Sequence, residues 1–129
     1  MATWLLDTNV LIHLRDGDPE ITAKVAGLEG AILMSIVSRV ELEGGVHRDP
    51  ALAPMRRPRL TAILQTIPTL AFDDEAADIY RMIVETAGYS RRKLLDRMIA
   101  AQALAHRATV VTLNPTDFHD VPGLAVEAW

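Results

Sequence analysis

At 129 residues, half of them hydrophobic and 23% charged, the chain has the composition of one globular domain, residues 1–129, built on a single core. It holds no cysteine, which excludes disulfides, zinc ribbons and thiol chemistry, and its four histidines lie too far apart for short metal-ligand spacing. A net charge of −4 argues against a broad basic coat for nucleic acid, though not against a local basic patch. The absence of signal-peptide and membrane-spanning patterns predicts a cytoplasmic protein with no membrane partner.

The first apolar run, Trp4 to Asp7, reads as a buried strand of a parallel sheet, with Asp7 at the carboxyl end where such sheets place ligands. Thr8 or Asn9 then suits the cap of a short helix over residues 9–15. Pro19 starts a second helix with an apolar stripe of Ile21, Val25 and Leu28, closed by Gly27 and Gly30. Ala31 to Ser35 is a second strand. Residues 36–46 form a helix whose packed side is predicted as Ile36, Val37, Val40 and Gly44, with Arg39, Glu43 and His47 on a polar stripe. Glu41 borders the packed side, where an ionised carboxylate needs a partner or a cation.

Pro50, Pro54 and Pro58 predict a loop or broken helix, followed by a helix from Leu60 to Ile67. Arg56, Arg57 and Arg59 in this stretch read either as a solvated face or as phosphate contacts. A weak strand, Pro68 to Phe72, precedes a helix opened by Asp73, Asp74 and Glu75 and stopped by Gly88. The basic turn Ser90-Arg91-Arg92-Lys93 leads into a helix from Leu94 to Arg107, on which Asp96, Ile99, Ala100 and Ala103 share a stripe. Thr109 to Leu113 is a β-branched strand ending in Asn114-Pro115-Thr116-Asp117, and Leu124 to Glu127 is a final edge strand. Strands alternating with helices predict an α/β fold, a three-layer α/β/α sandwich around a mostly parallel sheet of four to five strands.

Four acids stand out by position. Asp7 and Asp117 follow strands; Glu41 and Asp96 lie on the sheet-facing sides of helices. Gathered together, four carboxylates repel and raise one another's pKa values, which a divalent cation relieves. Oxygen donors without cysteine or clustered histidine point to Mg²⁺ or Mn²⁺. Such an ion activates water and clamps phosphodiester oxygens. No glycine-rich phosphate loop and no G-x-S-x-G elbow is present, so neither nucleotide binding of that kind nor acyl transfer has support. A receiver domain needs an acidic pair after the first strand and an Asp after a central one. Here Asp7 stands alone and no Asp follows Ala31–Ser35. A haloacid-dehalogenase-type phosphatase needs an Asp where Asn9 stands.

The run Leu5 to Ile12 resembles the opening motif of PIN-domain ribonucleases, in particular the VapC toxins of type II toxin–antitoxin modules. The likeness returns at Ser35 to Leu42, Asp96 to Ala103, Val111 to Phe118 and Val121 to Leu124, in the family's order. The resemblance implies a metal-dependent endoribonuclease whose acidic site is Asp7, Glu41, Asp96 and Asp117. Asp7 and Asp96 would be direct ligands of Mg²⁺ or Mn²⁺, and the other two would complete the shell or bind through water. It also implies that Thr8, Asn9, Thr112 and Asn114 orient the acids. Where many relatives carry a glycine-containing turn before the third acid, this chain has Gly88-Tyr89-Ser90-Arg91-Arg92-Lys93. Arg91, Arg92 and Lys93, with Arg56 and Arg57, are the candidate RNA phosphate contacts. Homodimerisation is implied too, as is a larger complex with a small VapB-type antitoxin that carries a DNA-binding part. The alternative is a catalytically inactive PIN-like module that binds RNA or protein.

Overall fold

In the computed structural model, which describes residues 1–129, five strands form one wholly parallel sheet. The strands are β1 (Thr3–Leu6), β2 (Ala31–Ser35), β3 (Thr69–Leu70), β4 (Thr109–Thr112) and β5 (Val126–Ala128), in the order β3-β2-β1-β4-β5. The helices are α1 (Thr8–Arg15), α2 (Pro19–Ala26), α3 (Ile36–Arg48), α4 (Ala53–Thr66), α5 (Asp74–Ala87) and α6 (Leu94–Ala105), with a 3₁₀ turn at Pro115–Asp117. None of them is long and apolar enough to cross a membrane.

Alternation along the strands divides the core in two. Leu6 and Val111 pack with Val10, Leu11, Met34, Leu42, Leu60 and Ile63, beneath helices α1 to α4. Leu5 and Val110 face the other way, onto Ile83, Ile99, Ala100 and Ala103 of α5 and α6, and onto Phe118. Because successive strand residues point to opposite faces, both sides of each central strand must be apolar. The α/β/α sandwich is therefore as expected, and the sheet is parallel throughout.

Several local expectations need correction. The buried side of α3 is Val37, Ser38, Leu42 and Val46, whereas Val40 is 66% exposed and a Cβ on Gly44 would meet nothing within 4 Å. The apolar Val40 pulled the helical wheel around, while the true inner face includes a serine held by a hydrogen bond. Of the proline-rich stretch only Pro50 lies in a turn: α4 starts at Ala53, seven residues before the expected helix, with Pro54 in its first turn and Pro58 inside. A first-turn proline lacks only an N–H that has no helical partner. Pro58 costs an interior bond, offset by side-chain ties to earlier helices: the Arg56 guanidinium donates to Gly45 O at 2.9 Å and that of Arg59 to Asp16 O at 3.0 Å. Finally, α1 is capped by Asp7 itself, not by Thr8 or Asn9.

Candidate active site

The chain runs outward from β1 through β2 to β3, then returns to place β4 on the other side of β1. The carboxyl ends of β1 and β4 flank this reversal, and open parallel sheets bind ligands in the crevice such a switch leaves. Asp7 stands there, held at its backbone by Asp7 N donating to Val111 O at 2.9 Å. Its carboxylate is buried and accepts from Thr8 N and from Thr112 Oγ1, each at 2.8 Å. Burial raises the Asp7 pKa, the Thr112 and Thr8 hydrogen bonds hold it back, and the charge of Asp117 adds to the rise.

Asp96 enters from the first turn of α6. Its pKa is pushed from 3.8 to about 6, first by burial and then by the charges of Asp7, Asp117 and Glu41, against a small opposing effect of Lys93. The other three acids read from the sequence thus lie within electrostatic range of Asp96. Asp117 arrives on the 3₁₀ turn after β4, where Asp117 N donates to Asn114 O at 3.1 Å. Glu41 lies exposed at the rim, not against the packed face as expected, and Thr8 Oγ1 donates to its Oε1 at 3.1 Å. No three acidic or histidine side chains stand close enough to hold one ion directly between them.

The supporting residues divide. Thr112 is wholly buried, donates to Asp7 and accepts from Asn114 N at 3.0 Å. Asn114 therefore contributes its backbone, and the exposed Asn9 side chain makes no hydrogen bond within the chain. Thr8 meets a residue that the sequence reading missed, since its hydroxyl lies 2.8 Å from Ser38 Oγ. With the Thr8 proton given to Glu41, Ser38 must donate to Thr8. The legible signal was position: Ser38 precedes Glu41 by three, so the two share a helix face.

The basic side chains also divide. Arg91 and Arg92 are exposed and form no ion pair. Lys93 Nζ lies 2.8 Å from Asp120, and Arg57 Nη1 lies 2.6 Å from Glu43. Arg56, half-buried, spends its guanidinium on Gly45 O and stands 3.7 Å from Asp16. The sequence reading also missed Arg97 and Asp120, a buried guanidinium and a part-exposed carboxylate 3.1 Å apart beside Lys93. Arg97 shares a helix face with Leu94 and Ala101, the one hint that its charge turns inward.

Chemically, the crevice offers oxygen donors alone, among them a desolvated carboxylate and one that no hydrogen bond engages. Such a set suits a hard divalent cation, whose charge would relieve the repulsion that raises Asp96 and Asp7.

The family model for the PIN domain matches residues 4–124. The chain is 25% identical to "Ribonuclease VapC2" of Rickettsia felis over 132 residues, 98% of this chain and 97% of that protein. Among solved structures, VapBC2 from Rickettsia felis bound to a DNA fragment from its promoter superposes with a TM-score of 0.83 at 24% identity, covering 98% of both chains. VapBC-5 from Mycobacterium tuberculosis superposes with a TM-score of 0.70 at 27% identity, covering 99% of this chain and 98% of that one. FitAcB from Neisseria gonorrhoeae does so with a TM-score of 0.74 at 27% identity, covering 95% of each.

Proposed function

Since this chain belongs to the PIN domain family, we propose that it is a metal-dependent endoribonuclease, the VapC-type toxin of a type II toxin–antitoxin pair. The observation that carries the reading is the electrostatic perturbation of Asp96 by Asp7, Asp117 and Glu41 at the carboxyl ends of β1 and β4. Four acids from four separate parts of the chain come within electrostatic range at the crevice where a parallel sheet takes its ligand.

In this reading Asp7 and Asp96 hold a Mg²⁺ or Mn²⁺ ion, and Glu41 and Asp117 complete its shell or bind through water. The ion, when bound, activates water and neutralises charge that builds on the phosphodiester during in-line displacement. Thr112 and Thr8 N fix the rotamer of Asp7, and the Ser38–Thr8–Glu41 chain does the same for Glu41. Arg91 and Arg92, exposed and unpaired just before the helix that carries Asp96, are suited to hold RNA phosphates; Arg56, Arg57 and Lys93 already have partners. The partners that follow are a VapB-type antitoxin with a DNA-binding part and a second copy of this chain, in the cytoplasm. The likeness to VapBC-5, a member of the VapBC family of toxin-antitoxin systems, supports the antitoxin partner.

The test is cleavage of RNA by the purified protein with and without Mn²⁺, and by Asp7→Asn. Chelation is expected to abolish cleavage and Asp7→Asn to slow it by about a hundredfold or more. Cleavage that survives both would overturn the proposal, and RNA binding without any cleavage would favour the inactive module.

A further inference from the structure

Asp96 sits between two cations along the chain. Lys93 precedes it by three residues and Arg97 follows it directly. An acid and a lysine three apart at a helix end are neighbours within reach of pairing. Here they do not pair. Lys93 Nζ is drawn to Asp120 Oδ2 at 2.8 Å, and Arg97 Nη2 reaches the same oxygen at 3.1 Å. The other Arg97 terminal nitrogen donates to Gly88 O, so that guanidinium, only 2% exposed, is anchored on two sides. The Asp96 carboxylate is left with no hydrogen bond and no ion pair inside the chain.

We propose that Asp120 is a positioning residue that withdraws the Lys93 ammonium from Asp96, leaving that carboxylate open to a divalent cation. Stability alone is a poor account of the cluster. Arg97 Nε and Asp120 Oδ1 are both buried there without a partner inside the chain, and a part-exposed ion-pair cluster of this kind contributes little to stability. Its placement suits the proposed role. Asp120 lies three residues beyond Asp117, so one carboxylate ties the start of α6 to the segment that brings in another acid of the site. Lys93 is the cation free to move, because Arg97 stays fixed to Gly88.

This inference rests on the metal reading of the site, and the test separates the two. Mn²⁺ binding to the full chain is measured by calorimetry at pH 7.5, with folding of each variant checked by circular dichroism. Asp120→Asn releases Lys93 toward Asp96 and is expected to weaken Mn²⁺ binding by about tenfold. Adding Lys93→Met to that variant is expected to restore the affinity to within about threefold of the wild type, a rescue that a merely structural role would not give. Lys93→Met alone leaves Arg97 and Asp120 paired and is expected to change the affinity by less than about threefold. Undiminished binding in Asp120→Asn, failure of the double variant to rescue, or about tenfold tightening in Lys93→Met alone would each overturn the inference. Should Asp120→Asn not fold, the Lys93→Met arm decides. A wild-type protein that binds no Mn²⁺ would overturn the metal reading and this inference together.

Discussion

The carboxylate of Asp96 is held at a cost. Its pKa stands near 6 in the folded chain against 3.8 without the fold's burial and neighbouring acids. Between those values the folded state binds more protons than the unfolded one, so stability falls as pH rises from about 4 to about 6 and stays low above. At about 1.4 kcal/mol per pKa unit the upper bound is about 3 kcal/mol, reduced because Asp96 is only half-buried. Asp96→Asn in metal-free protein is therefore expected to raise stability at pH 7.5 by about 1–2 kcal/mol while leaving it nearly unchanged at pH 4. Urea melts at the two pH values check this; equal effects at both would refute the electrostatic origin. Thr112 works the opposite way, since its hydroxyl favours the charged form of Asp7. Thr112→Val strips a buried carboxylate and Asn114 N of their partner together, for a loss of about 1–3 kcal/mol at pH 7. The loss shrinks at acid pH as Asp7 is protonated, and the acid limb of the cleavage profile moves to higher pH. An unmoved limb would show that Thr112 only supports the fold.

Strand ends were the legible part of this chain, because an apolar run that stops at a polar residue marks both the strand and its carboxyl end. Asp7 and Asp117 followed from that rule, whereas the role of Thr112 came only with the family resemblance. Helix faces were less legible. On α3 an exposed valine and an open glycine imitated a packed stripe, and the buried Ser38 was hidden because its burial depends on Thr8, thirty residues away in sequence. The charges of α4 and of the Lys93–Arg97–Asp120 cluster were illegible for the same reason, as their partners lie on other elements. Two glycines separate conformational need from mere tolerance. Gly30, entering β2, has φ +118°, and a Cβ there would stand 2.1 Å from Ala2 O, the carbonyl that receives Ala31 N. Gly44 has open space on the solvent side of α3. Gly30→Ala is expected to cost about 3 kcal/mol or more from strain and clash, while Gly44→Ala should gain about 0.5–1 kcal/mol from helix propensity. Denaturation midpoints at constant m-value measure both, and a mild Gly30→Ala would mean that the β1–β2 edge can shift.

At the scale of the molecule, the site exists only through topology. Residues 7, 41, 96 and 117 meet because the chain places β4 beside β1 after building the opposite half of the sheet. Their repulsion is a property of the assembled fold, and the unfolded chain carries none of it. A cation bound between them stabilises the folded state alone, by about 2.7 kcal/mol when its free concentration is a hundred times Kd. For a domain of this size that is a rise of roughly 10 °C in Tm. Protons compete for the same oxygens. At pH 5 a group with a pKa of about 6 is roughly nine-tenths protonated, so each such ligand weakens cation binding about tenfold and removes about 1.4 kcal/mol of the linkage. Asp7, also raised, acts in the same direction. Thermal melts with Mn²⁺ are therefore expected to show a large upward shift at pH 7.5, reversed by chelator, and no more than about half of it at pH 5. Asp96→Asn, already relieved of its repulsion, should start from the higher metal-free Tm at pH 7.5 and gain little from Mn²⁺. An equal Mn²⁺ shift in that variant would mean that the cation binds elsewhere on this acidic chain and that the four carboxylates do not form its site.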